Sequence, residues 1–152
     1  MAAHDDGSFE AFVAARGAAL LRTARLLCRQ PEDAEDMCQA ALERAYRHWG
    51  RVQQENPEPY VRRILVNLVI NRARRAKLLT FVSLPPGGVE PAAERPHHGG
   101  RSGVELRGEL IDGLRALPPR QRAVLVLRYW EDMSEAQAAD VLGCSVGTPK
   151  GR

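Results

Sequence analysis

Six basic side chains fall between residues 57 and 80: Arg62, Arg63, Arg72, Arg74, Arg75 and Lys77, with Glu58 as the only acid. Cationic side chains at this density suit the phosphates of a nucleic acid. Between residues 32 and 43 the balance reverses, with Glu32, Asp33, Glu35, Asp36 and Glu43 and no basic residue. The formal net charge is a modest +3, so the informative quantity is its distribution. Adjacent stripes of opposite sign suggest two different partners, although each stripe alone also fits a solvated helix face. Covalent chemistry finds no comparable foothold. His4, His48, His97 and His98 show no metal-ligand spacing with the cysteines or acids. No glycine loop for cradling phosphate and no nucleophile motif occurs. The expectation is therefore a binding protein with no catalytic residue, no metal and no cofactor. The adjacent pair His97 and His98 fits a solvated linker better than a loose metal site. Cys28, Cys38 and Cys144 are odd in number and widely spaced, which suits small core positions in a reducing compartment. No apolar run reaches membrane-spanning length, and MAAHDDGSFE lacks the regions of a secretory signal. A cytoplasmic protein with no membrane partner is expected.

The elements that must carry these residues read as helices. With 152 residues, 44% of them hydrophobic, the chain can bury one core or two small ones. A first helix is expected from Phe9 to Cys28, where Phe9, Phe12, Val13, Leu20, Ala24, Leu27 and Cys28 recur mostly every three or four residues. Pro31 opens a second helix, with acids at its positive end, that continues to Trp49 and stops at Gly50. Asn56 followed by Pro57 is a cap-then-proline start for a third helix to about Leu78. On it Tyr60, Val61, Ile64, Leu65 and Leu68 can face the core, leaving Arg62, Asn67, Asn71, Arg74 and Arg75 nearer solvent or a ligand. Residues 83–103, SLPPGGVEPAAERPHHGGRSG, lose all apolar period and read as a linker.

Helical pattern resumes at Val104, with Leu106, Leu110, Leu114 and Leu117 on one face, until Pro118 and Pro119 stop it. The next helix, about Gln121 to Trp130, offers Val124, Leu125, Val126, Leu127 and Tyr129 to a core. These are too nearly consecutive to point inward together, and Arg128 marks the solvent side. Ser134 then caps a helix with Gln137 three residues on, as a capping box requires. Ala138, Ala139, Val141 and Leu142 form its small apolar face, Gly143 supplies a left-handed stop, and Ser145 can cap one more helix. A short helix, a glycine turn and a second capped helix form a helix-turn-helix layout, which places its second helix in a DNA major groove. The same pattern also suits a plain helical hairpin in a core.

Taken together, three segments in this order resemble the extracytoplasmic-function (ECF) sigma factors of bacterial RNA polymerase, most of all the actinobacterial SigE-like group. PEDAEDMCQAALERAYRHW resembles that family's core-polymerase-binding helix, NPEPYVRRILVNLVINRARR its promoter-melting helix, and LPPRQRAVLVLRYWEDMSEAQAADVLGCSVGT its upstream-element reader. The resemblance implies an all-α protein of two small helical domains joined by a Pro/Gly-rich linker. Residues 8–80 would form a region-two-like domain, 81–104 the linker, and 105–152 a region-four-like helix-turn-helix domain.

The resemblance further implies that Asp33, Glu35, Asp36, Met37, Gln39, Leu42 and Arg44 meet the beta-prime clamp of core RNA polymerase. Helix-dipole stabilisation by the acids fits equally well. Promoter DNA would meet Arg62, Arg63, Asn67, Asn71, Arg72, Arg74, Arg75 and Lys77, with the loop Gln53–Asn56 and the two asparagines resembling a base-reading region. Tyr60 would stack on a base or fill the core. Ser145, Thr148, Lys150 and Arg152 would bond duplex phosphates or base edges. Arg120 and Arg122 would touch the DNA backbone or lie in solvent. An anti-sigma factor is common in the wider family, though no residue here demands one.

One departure stands at the C-terminus. Members usually carry an apolar residue where Pro149 stands, and their recognition helix runs several turns further. With Ser145 as cap, Pro149 falls at the fourth helical position and removes the first helical hydrogen bond. The upstream-element reader is thus expected to be truncated. Two other classes stay open on the residues alone: a stand-alone helix-turn-helix regulator of duplex DNA, and a polymerase-binding decoy that starts no transcription.

Overall fold

The computed structural model describes residues 6–54, 56–83 and 103–143. Seven α-helices and one π turn occupy them: α1 (Asp6–Leu27), α2 (Asp33–Arg47), α3 (Trp49–Val52), α4 (Pro57–Ser83), α5 (Gly103–Ala116), α6 (Pro119–Leu125) running into the π turn Val126–Trp130, and α7 (Glu135–Leu142). The protein is all-α, in two helical units, α1–α4 and α5–α7. No described helix is long and apolar enough to cross a membrane.

In the first unit α2 packs against both α1 and α4. It does so through Ala34, Cys38, Ala41 and Ala45, all buried and spaced along one face. Small side chains there let the three helix axes approach closely. Asn56 accepts from the Glu58 backbone N–H at 3.4 Å, so it caps α4 as expected. Val61, Leu65, Val66, Val69 and Ile70 then form the buried stripe of α4.

The second unit does not stand apart. Ala123, Val126, Leu127, Met133, Ala138, Val141 and Leu142 belong to the same contiguous buried cluster as Leu20, Ala24, Leu27, Val61 and Leu65. Helix α1 touches α5, α6 and the π turn, and α4 touches α6 and α7.

Several local expectations change, the third helix running on past Leu78 to Ser83 among them. The second helix ends at Arg47 rather than Gly50; His48 leaves helical geometry at φ −118°, and Gly50 lies inside α3. The break lets Trp49 turn inward, to 1% exposure, beneath Phe9 and Phe12 at ring-centroid distances of 5.2 and 5.4 Å. The apolar run after Gln121 is accommodated by the π turn, in which the Glu131 N–H reaches back to the Val126 carbonyl at 2.9 Å. Val126 and Leu127 are buried, whereas Leu125 is 37% and Tyr129 76% exposed. Arg128, expected on the solvent side, is half-buried and donates to the Met133 carbonyl at 2.8 Å. Finally, the leucine face of α5 is divided: Leu106 and Leu110 are exposed, and Leu114 and Leu117 half-buried.

Candidate nucleic-acid interface

Helix α4 sorts its polar residues by angle. Arg63, Asn67, Asn71, Arg74 and Arg75 are exposed, and their spacing of about four places them along one side, opposite the buried stripe. Lys77 is exposed beside them, and Arg74, Arg75 and Lys77 have no ion-pair partner among the described residues. Two asparagines flanked by cations set amides, a group that can pair with base edges, between charges that suit phosphates.

Arg72 and Arg62 depart from that face. Arg72 leans to α2 and pairs with Asp33 at 3.5 Å. Arg62 has a side chain only 13% exposed, held by Glu58 at 2.7 Å and by Glu131 at 2.9 Å. Arg16 also pairs with Glu58. Tyr60 is half-buried and packs against the core.

The acidic helix is divided in a similar way. Glu35, Gln39 and Leu42 line a groove of about 1010 Å³ between α1 and α2. Phe9, Val13, Leu21 and Leu42 give it apolar walls, and Asp6, Glu10, Glu35 and Glu43 add acids. Tyr46 donates to Asp6 at 2.6 Å, and that bond pushes the phenol pKa up. Asp36 and Arg44 are exposed but lie outside the groove, and Met37 is half-buried against the core. Sequence spacing brings Glu35, Gln39 and Leu42 together, and leaves Asp33, Asp36, Met37 and Arg44 elsewhere on α2.

At the other end of the chain the capping box forms as expected. The Ser134 hydroxyl accepts from the Gln137 backbone N–H at 3.1 Å, and the Gln137 side-chain Oε1 accepts from the Ser134 backbone N–H at 2.9 Å. Gly143 ends α7 at φ 73°. Cys144, Ser145, Thr148, Pro149, Lys150 and Arg152 lie outside the described residues, as do His4, His97 and His98.

Comparison with known proteins bears on this arrangement directly. Residues 6–78 match the family Sigma-70 region 2, and residues 107–150 match Sigma-70, region 4. The RNA polymerase sigma-E factor of Streptomyces coelicolor is 39% identical over 145 residues, which cover 93% of this chain and 77% of that protein. The ECF RNA polymerase sigma factor SigM of Mycobacterium tuberculosis is 35% identical over 134 residues, covering 88% of this chain and 65% of its own. The chain belongs to the ECF sigma factors of bacterial RNA polymerase.

A solved structure of the sigma factor RpoE in complex with the anti-sigma factor NepR, from Bartonella quintana, shares the fold. Its TM-score is 0.67 at 24% identity, with 95% of this chain and 88% of that chain covered.

Within this sigma factor the residue that sequence reasoning most underestimated is Arg122. It is 3% exposed, neither in solvent nor on an outer face. Its guanidinium donates to the carbonyls of Leu27 at 2.8 Å, Leu114 at 2.8 Å, Leu117 at 2.7 Å and Arg115 at 3.2 Å. Leu27 is the last residue of α1, and the other three lie at the end of α5 or just beyond it. These carbonyls cluster at helix ends, where intrahelical donors run out, although that of Leu114 also accepts from the Leu117 N–H at 3.1 Å. Burial lowers the Arg122 pKa, yet guanidinium remains a cation in proteins. The signal for this role was its place four residues before Val126, on the buried side of the helix. Arg120 reaches the Leu142 carbonyl at 3.4 Å. Thr23, buried in α1, donates its hydroxyl to Glu131, and nothing local in the sequence marks that contact.

Cys28 and Cys38 are buried free thiols. Burial, and then Asp33, push the Cys28 pKa up to about 11; burial also raises that of Cys38. Both fill small core positions, as expected.

Proposed function

We propose that this ECF sigma factor docks core RNA polymerase through the α1–α2 groove and holds opened promoter DNA along the exposed face of α4. The carrying observation is the segregation of two surfaces on one small unit. An acid-rimmed apolar groove lies between α1 and α2, and an Asn/Arg face runs along α4.

Protein docking favours apolar anchors ringed by charges that steer encounter. Leu42 with Phe9 and Val13 would supply the anchors, and Glu35 and Glu43 with Gln39 the polar contacts to the beta-prime clamp. Asp36 and Arg44 would add rim charges, while Asp33 and Met37 act mainly by fixing α2 on α4.

Strand separation requires a surface that prefers single-stranded DNA. Arg63, Arg74, Arg75 and Lys77 would neutralise phosphates, and Asn67 and Asn71 would pair with an unstacked base. Arg62 and Arg72 support this face from behind. Upstream duplex reading falls to the unit from 105 to 152, with Ser145, Thr148, Lys150 and Arg152 after the glycine stop. Residues 81–104 tether the two units. In this reading the protein acts in the cytoplasm and performs no catalysis of its own. An inhibitor of the anti-sigma class, the kind of partner bound to the Bartonella quintana RpoE, would act by covering the same surfaces.

The test is run-off transcription with purified core enzyme, alongside co-migration on a sizing column. Glu35→Lys with Leu42→Asp should abolish co-migration. Asn71→Ala with Arg74→Ala should leave co-migration intact and remove the run-off product. If the unaltered chain and the core enzyme migrate separately, the reading fails. Duplex binding without polymerase would then favour a stand-alone regulator.

A further inference from the structure

Resting on that reading, we propose that Ser8, in the first turn of α1, is a positioning residue for base reading. It holds Gln53 inward, so that the loop between α3 and α4 presents Gln54 as its pairing amide. The loop spans residues 53–56, and its amides differ in what they have left to offer. Gln53 is half-buried, and its side-chain Oε1 accepts from the Ser8 hydroxyl at 2.8 Å. Asn56 is exposed, but its Oδ1 accepts from the Glu58 backbone N–H at 3.4 Å as the cap of α4. Gln54 is exposed, and its side chain has no partner among the described residues. An amide that reads a base edge uses its carbonyl as acceptor and its NH2 as donor together. Gln53 and Asn56 have each turned the acceptor toward the protein, and Gln54 keeps both groups outward.

Ser8 holds the loop through more than one bond. Its Oγ accepts from the Trp49 indole N–H at 3.3 Å while donating to Gln53. A hydroxyl used as acceptor and donor at once is fixed in orientation, and each bond in such a chain strengthens the next. Trp49 is 1% exposed and lies beneath Phe9 and Phe12, so the anchor itself is packed in place. The Gln53 backbone N–H also closes on the Trp49 carbonyl at 2.9 Å. The first residue of the loop is thus fastened by side chain and main chain, and the next residue turns outward from a fixed point. Without the Ser8 hydroxyl, the Gln53 side chain is released and Gln54 is no longer held in one place.

The same turn of α1 also borders the docking groove. Asp6 and Phe9 line that groove, and the Phe9 ring lies 4.9 Å from that of Tyr46. A partner seated there covers the turn and shields the Ser8 bonds from water, where hydrogen bonds between protein groups are stronger. The loop is therefore held most firmly when polymerase is bound.

The experiment captures a single-stranded DNA pool, randomised over a central segment, on the full chain with purified core polymerase, and sequences what is retained. Gln54→Ala should flatten the base preference at one position about tenfold, the range for one paired base contact. Ser8→Ala should flatten the same position about threefold, the range for one neutral hydrogen bond. Ser8→Thr keeps a hydroxyl and should keep the preference. Gln53→Ala removes the same bond from the loop side, which keeps the test valid if Ser8→Ala fails to fold. A merely structural role for Ser8 would lower retention at all positions alike. Flattening by the Ser8 or Gln53 variant at the position lost in Gln54→Ala, with the other positions unchanged, supports the proposal. Any other pattern from a chain that still selects sequence overturns it and leaves the proposed function standing. Absence of selection by the unaltered chain with polymerase overturns both.

Discussion

Arg122→Met removes four hydrogen bonds from the centre of the molecule while keeping much of the side-chain volume. The acceptors are backbone carbonyls around the ends of α1 and α5, where intrahelical donors run out, and only that of Leu114 also takes a backbone N–H, from Leu117. Taking about 1.5 kcal/mol for each bond to a charged donor gives about 6 kcal/mol gross. Burying a guanidinium costs several kcal/mol, which offsets roughly half of that gain. A net loss of about 3 kcal/mol follows, a large share of the 5–15 kcal/mol typical of a folded domain. With a urea slope of about 1.5 kcal/mol/M, the midpoint falls by about 2 M.

The assay is urea unfolding followed by far-ultraviolet circular dichroism and tryptophan fluorescence. Trp49 is buried in the first unit, and Trp130 lies in the π turn of the second, 53% exposed. A Trp130→Phe background therefore reports the first unit alone. Because Arg122 ties α5 and α6 to the end of α1, its loss should separate the two signals as well as lower the midpoint. Arg122→Lys retains the charge as a single point that cannot serve four spread acceptors, and should recover less than half of the loss. A loss below about 1 kcal/mol for Arg122→Met, the worth of one ordinary hydrogen bond, would refute the bracket.

Two further outcomes test local chemistry. In the unfolded chain the Cys28 thiol ionises near its ordinary value of 9.0, and in the folded chain at about 11. The unfolded state thus loses its proton first, so the stability contribution is intact below pH 9 and disappears as pH rises to about 11. At pH 10 the loss is about 1.4 kcal/mol relative to neutral pH, and Cys28→Ala should lack this component when urea midpoints are compared at pH 8 and pH 10. Ser134→Ala removes one half of the capping box and should cost about 1 kcal/mol; a thermal midpoint unchanged within error would show that the cap contributes nothing.

Features set by neighbours in the chain were legible before any coordinates. Asn56 with Pro57, Ser134 with Gln137, and Gly143 depend on hydrogen bonds and dihedral preferences that reach at most four residues, and each stands where spacing places it. The buried stripe of α4 was legible for the same reason, since helical period alone assigns Val61 and Leu65 to one side. Three segments in a diagnostic order also marked the family. Within the candidate surfaces, the face of Asn67, Asn71, Arg74 and Arg75 could be drawn from period alone.

What tertiary structure decided is the fate of charged and large apolar side chains whose partners are remote. Arg122 ends on a carbonyl 95 residues away, and Glu131 accepts from Thr23, 108 residues away. No periodicity distinguishes an arginine bound for phosphate from one bound for such a carbonyl or carboxylate. Arg62, Arg63 and Arg74 look alike on paper, and only the docking of the second unit separates them. The early end of α2 belongs to the same class, because burying Trp49 under Phe9 and Phe12 outweighs one more turn of regular helix. Local preference is worth tenths of a kcal/mol per residue, whereas burial of one large side chain is worth about 1.5–3 kcal/mol. Sequence therefore determined the helices and their polarity, and packing determined which charges face a partner and which hold the protein together.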